Sequence, residues 1–214
     1  MKPNPAHAEG VDVSGHQPLV DWQAIARTGK AFSFIKATES TTLLDHMFVE
    51  HWKNADAAGL LRGARHFFRP QEDAVAQAQF FLAHLPSKGE LPPVLDVEVS
   101  DGASPAQLAG GIRVWVSYVK ANFARPLIYT SPAFWGLIAL LPDISASADL
   151  WVASWGTATP GKVSGWPSWA FWQYSNRCTV PGIPGAANNH ADRFNGGIEG
   201  LKVYSSKHVG SAVR

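Results

Sequence analysis

Along this chain, short apolar runs of strand period alternate with longer segments whose apolar positions recur at helical spacing. Residues 10–14 read as a strand with Asp12 near its end, and 21–28 as a helix stopped by Gly29. A second strand over 32–38 leads to Glu39, and a helix over 45–58 closes at Gly59, a residue suited to a left-handed C-cap. Strand 61–68 ends in His66, Phe67 and Phe68 before Arg69 and Pro70 break it. Helix 72–85 gathers Val75, Ala78, Phe81 and Leu82 on one side, and strand 92–99 follows. Ser104, Pro105 and Gln107 then supply an N-cap, a first-turn proline and a capping-box partner for a helix running to 122. Strand 127–130 and a short helix over 133–141 complete this half.

Beyond residue 149 the helical period fades. Segments 149–155, 170–175 and 191–194 read as strands joined by Gly, Pro, Ser and Thr. Five β/α units followed by three mainly β segments predict an α/β fold, a closed parallel TIM-like barrel with an irregular second half. One domain over 10–205 is expected, between tails at 1–9 and 206–214. In such barrels chemistry collects at the carboxyl ends of the strands. Asp12, Glu39, His66, Asp96, Glu98, Tyr129, Trp155 and Gln173 all fall at or near those ends.

The run from Pro93 to Val99 carries the sharpest chemical signal, because Asp96 and Glu98 occupy alternate positions in it. Side chains alternate faces along a strand, so both acids share one face, their Cα atoms about 7 Å apart. Two acids on one side of a buried strand repel, which raises the pKa of one of them. The pair then offers a proton donor beside an anion, the equipment for breaking a glycosidic bond. A salt-bridged structural pair at a strand end is the competing reading.

Composition narrows the field. In 214 residues, 46% hydrophobic and 16% charged, there is enough apolar material for a sizeable core, and global disorder is excluded. A formal net charge of +1 gives no reason to expect a nucleic-acid partner. Nine tryptophans suit both core packing and stacking on the apolar faces of sugars. Cys178 is the only cysteine, so no internal disulfide forms, and no motif around it supports a catalytic thiol. The eight histidines form no HExxH or paired spacing, Asp96 lacks the Gly-containing loop of a calcium site, and no phosphate loop or nucleophile elbow appears. No metal or cofactor is expected. The apolar runs are too short or interrupted for membrane insertion, and the N-terminus lacks the apolar core of a signal peptide.

In order along the chain, Gly10-Val11-Asp12-Val13-Ser14, Asp21-Trp22, Phe34-Ile35-Lys36-Ala37-Thr38-Glu39, Gly63-Ala64-Arg65-His66-Phe67-Phe68, Leu95-Asp96-Val97-Glu98, Ile128-Tyr129-Thr130, Trp151-Val152-Ala153-Ser154-Trp155, Trp172-Gln173-Tyr174-Ser175 and Arg193-Phe194-Asn195-Gly196 make a series. It resembles glycoside hydrolase family 25, the Chalaropsis-type lysozymes, over roughly residues 10–201. The resemblance implies a β/α barrel that hydrolyses the β-1,4 bond between N-acetylmuramic acid and N-acetylglucosamine in bacterial peptidoglycan. It implies Glu98 as general acid, Asp96 as the assisting carboxylate and Asp12 as a supporting acid. Glu39, His66, Phe67, Tyr129, Trp155, Gln173 and Tyr174 become candidate contacts to the glycan.

Two departures stand out. Arg65 replaces the family's usual tyrosine before the histidine of the third strand. Four residues before Phe194, where the family typically has Asp, stands His190, while Asp192 occupies the place of an Asn or Asp. Either Asp192 serves through a local shift, or His190 has taken over, or the fourth acid is missing; Asp192 is the preferred candidate. A non-catalytic wall-binding barrel and a chitinase-like glycosidase are the competing functions. A monomer is expected to reach the wall through a pore or secretion apparatus, as an endolysin or delivered effector would, or as a matured secreted form.

Overall fold

The computed structural model describes residues 6–138, 141–185 and 187–209. Its elements are β1 (Ala8–Val13), α1 (Trp22–Arg27), β2 (Phe32–Glu39), β3 (Leu43–Leu44), α2 (Phe48–Ala57), β4 (Leu61–Phe67), α3 (Ala74–Ala83) and β5 (Val94–Asp96). The second half holds α4 (Pro105–Lys120), β6 (Leu127–Thr130), α5 (Pro132–Trp135), α6 (Pro142–Ser147), β7 (Asp149–Ala153), β8 (Phe171–Arg177), β9 (Ala187–Phe194) and α7 (Ile198–Val209). The sheet runs β1-β9-β8-β7-β6-β5-β4-β2 and closes through β1–β2, with β3 folded back on β2 as a short flap. This is the expected barrel: five β/α units, then three strands without intervening helices.

Local chemistry accounts for the helix starts. Asp21 and Asp73 cap α1 and α3 through their carboxylates, and Ser104 with Gln107 makes a reciprocal capping box on α4. Gly59 takes a φ of 78° beyond α2, a left-handed turn that favours glycine.

Inward and outward residues alternate along each strand, so two cores form. Inside the barrel, Phe32, Phe34, Leu127, Trp151, Phe171 and Phe194 pack together, with Phe34 stacked on Trp151 at 4.4 Å between ring centres. Gly10 and Gly63 make this possible: a Cβ at either would sit 2.4 or 2.5 Å from the Phe32 or Phe34 ring. Outside, Ile35, Leu95, Ile128 and Val152 meet helix residues such as Phe48, Phe81, Ile112 and Trp115. Deleting a buried ring such as Trp151 costs about 3–5 kcal/mol.

Four expectations need correction. The barrel is not wholly parallel, since β9 runs antiparallel to both β8 and β1. A hairpin, not a crossover helix, joins β8 to β9, and a hairpin returns the chain in the opposite direction. The acid-bearing strand is shorter than 92–99: the ladder ends at Asp96, Val97 adds one bond to the Tyr129 carbonyl, and the chain then leaves the barrel at Glu98. Helix 133–141 contracts to α5, with residues 139–140 outside the described residues. Finally, α6 and α7 were not anticipated. Leu201 and Tyr204 of α7 pack against Phe171 and Phe194 at the end of the barrel opposite the strand C-termini. The described elements begin with β1 at Ala8 and end with α7 at Val209. No described helix is long and apolar enough to cross a membrane.

Candidate active site

A cavity of about 300 Å3 opens at the carboxyl ends of the parallel strands. Asp12 enters it from β1, Lys36 from β2, Arg65 and Phe67 from β4, Glu98 from just past β5, and His190 from β9, while Ser14, His16 and Gln17 form one rim. A bulge in β2 after Lys36 keeps that lysine inward and turns Thr38 outward. Strand alternation therefore delivers polar side chains from β1, β2, β4 and β9 to one mouth, and Glu98 joins them from just past β5.

Arg65 sits at its centre. Its guanidinium bonds Asp96 Oδ2 through Nη1 and lies 3.7 Å from Asp12 Oδ1 through Nη2. Burial works against this charge, but Asp96 and Asp12 outweigh it and keep the guanidinium firmly protonated. Asp96 is fully buried, and burial pushes its carboxyl up to about 7 although Arg65 pulls it down; Glu98 adds to the rise. The raised acid of the pair is thus Asp96, and it does not line the cavity; Glu98 does, with its side chain exposed.

Asp12 holds a second web. His190 Nδ1 lies 3.0 Å from its Oδ1, and Gln173 Nε2 donates to its Oδ2 at 2.7 Å. Burial would raise this carboxyl, yet His190, Arg65 and Gln173 together hold it below the usual carboxylate range. Gln173 is itself pinned, because its Oε1 accepts from Tyr129 Oη at 2.9 Å and from Trp155 Nε1 at 2.8 Å. Trp155, 48% exposed, thereby stands at the lip of the barrel with its indole anchored.

The antiparallel course of β9 decides the fate of Asp192. Running downward from the mouth, this strand presents its earlier residue, His190, to the cavity and carries Asp192 below it, level with Gly10 of β1 and Gln173 of β8. Asp192 is wholly buried, accepts from Trp151 Nε1 at 3.0 Å, and does not line the cavity. Burial first, then the charge of Asp12, lift its carboxyl well above the ordinary value. Its Oδ2 meets no hydrogen-bond donor among the described residues, and the neighbouring Asp12 further favours the protonated form. The preferred fourth acid therefore lies beneath the site.

The chain matches the model of glycosyl hydrolases family 25 over residues 11–183. It belongs to that family. The chain is accordingly a glycoside hydrolase. It is 35% identical over 201 residues to lysozyme M1 of Streptomyces globisporus, covering 88% of this chain and 68% of that protein. It is 31% identical over 212 residues to the N,O-diacetylmuramidase of Chalaropsis sp, covering 91% and 97%. The crystal structure of the bacterial lysozyme from Streptomyces coelicolor superposes with a TM-score of 0.88 at 33% identity, covering 95% of this chain and 99% of that one.

Three expected glycan contacts of this family 25 hydrolase lie elsewhere. His66 points out of the barrel, 0% exposed, between Thr38 Oγ1 at 2.7 Å and Gln77 Oε1 at 3.1 Å, with Trp115 and Phe81 beside its ring. Burial pushes it down to about 4, so it is a neutral core residue. Tyr174 also faces outward, donating to Glu9 Oε2 at 2.7 Å in a separate cavity with Lys30, Cys178 and Arg193. Glu39 is clamped by Lys36 at 2.6 Å and Arg69 at 2.6 Å and does not line the mouth. Tyr129 is buried beneath Gln173, and Phe67 forms part of the wall. Lys36, His16 and Gln17 were missed as site residues; the inward parity of Lys36 in 32–38 was the available signal for the first, and nothing in the sequence marked the other two. Arg65, a departure from the family pattern, and His190, the alternative to Asp192 in the sequence, both line the cavity.

Proposed function

We propose that this glycoside hydrolase is an N-acetylmuramidase. It cleaves the β-1,4 bond from N-acetylmuramic acid to N-acetylglucosamine in peptidoglycan, and so acts at the bacterial cell wall. The observation that carries the reading is that two carboxyl groups, Glu98 and Asp12, line one cavity at the barrel mouth. The named lysozyme and muramidase relatives support the choice of substrate.

Glu98 is the proton donor, because it is the exposed member of the Asp96–Glu98 pair, while Asp96 is enclosed and engaged by Arg65. Its proton goes to the bridging oxygen as the bond to the anomeric carbon breaks, a contribution of about 10²–10⁴-fold. Positive charge then grows on the sugar ring. Asp12, kept ionised by its partners, is the nearby anion that opposes it. Asp96 acts through Arg65: their pairing holds the cation between the acids. Trp155 offers an apolar face to the sugars, while Phe67, with Lys36 and Arg69 over its ring, forms part of the wall.

Digestion of purified peptidoglycan, borohydride reduction and mass spectrometry test the bond assignment. Newly formed reduced muramic acid ends are expected. Reduced glucosamine ends would point to the other glycosidic bond, and binding without new ends would leave a wall-binding barrel.

A further inference from the structure

His190, the alternative to Asp192 in the sequence, stands in the cavity. Its Nδ1 is 3.0 Å from Asp12 Oδ1, and Asp12 is ionised, so Nδ1 carries hydrogen and donates. Gln173 cannot change this: its Oε1 is fixed by Tyr129 and Trp155, which leaves its amide nitrogen to donate to Asp12. The 3.1 Å approach of that nitrogen to Nδ1 is then a contact between two donors. Nε2, on the far edge of the ring, holds the lone pair of the neutral imidazole. The side chain is 28% exposed and shares the cavity with Glu98.

A histidine oriented by a carboxylate and sharing a cavity with an exposed acid is a base–acid pairing. We infer that His190 removes the proton from the water that attacks the anomeric carbon, with Asp12 fixing its tautomer. This deepens the muramidase reading and rests on it. The water oxygen bonds to the anomeric carbon as the bond to the bridging oxygen breaks. The electron pair of that bond stays on the bridging oxygen, which takes the Glu98 proton, and the water proton passes to His190 Nε2. Solvent exchange restores both groups. Attack on the face opposite the leaving group inverts the anomeric centre.

The titratable and charged groups around the ring are Asp12 on β1, Lys36 on β2, Arg65 on β4, Glu98 after β5 and His16 on the rim, with Asp192 below on its own strand. Asp12 dominates, and despite burial the imidazole is held above the ordinary histidine range. The base is competent only when neutral, so turnover is lost as pH falls through that raised value.

His190→Asn tests the assignment, since its amide still donates to Asp12 but has no basic nitrogen. Turnover on peptidoglycan should fall about 10²-fold with KM little changed, and the acid limb of the kcat/KM profile should vanish. His190→Ala should regain activity with added imidazole. With a β-linked oligosaccharide, NMR should find the α-anomer first in the wild-type digest. Retention of most turnover with an unchanged acid limb in His190→Asn, or a first-formed β-anomer, would overturn the role of His190 while leaving a working muramidase. A wild-type protein that releases no muramic acid ends would take both readings down.

Discussion

Neighbouring residues at the same strand ends have opposite fates in this barrel. Arg65 faces the cavity and holds two acids, whereas His66 faces the helices as a neutral, enclosed ring. Gln173 organises Asp12, Tyr129 and Trp155, whereas Tyr174 bonds Glu9 on the outer wall. Reaching the carboxyl end of a strand is therefore not enough to place a side chain in the site. Its parity on that strand decides, and on β9 so does the direction of the chain.

Substitutions on the two faces should separate accordingly. Loss of the Glu98 carboxyl has the largest effect, at least about 10²-fold in turnover. Arg65→Met comes next: Asp96 and Asp12 lose their shared cation, and the protein should be less stable by about 3 kcal/mol at neutral pH in urea titrations. That loss should shrink as the pH falls and the carboxyls protonate. Trp155→Ala should raise KM for the glycan about 2- to 10-fold and leave the melting temperature nearly unchanged, measured by initial rates and calorimetry.

Asp192→Asn probes the layer below the mouth. The folded carboxyl is raised, so the stability it contributes is present below about pH 4, the unfolded value, and is lost as pH rises toward the folded one. The variant should match wild type near pH 4 and become the more stable of the two as the pH rises to neutral in the same titrations. Tyr174→Phe, on the outer wall, should cost about 1 kcal/mol of stability and leave kcat untouched. A drop in kcat there would break the inward–outward division.

Much of this architecture was legible in the sequence because local signals agreed with it. The capping box at Ser104 and Gln107, the turn at Gly59 and the strand-period runs each named an element that formed. Asp12, Glu98, Phe67, Gln173 and Trp155 were also found at or around one mouth. What sequence could not supply was direction and depth. A downward β9 exchanged the places of His190 and Asp192, and a strand that ended at Asp96 separated an enclosed acid from an exposed one. The helix α7 escaped notice because its Gly200, Ser205 and Ser206 blur the apolar period that Leu201 and Tyr204 carry into the barrel floor.

The most direct measurement is the rate of reducing-end release from purified peptidoglycan by Glu98→Gln beside wild type, with thermal melts of both. The amide preserves shape but has no proton to give. Turnover should fall at least about 10²-fold with the melting temperature unchanged. A Glu98→Gln protein that kept most of its activity would contradict the placing of the proton donor at the barrel mouth.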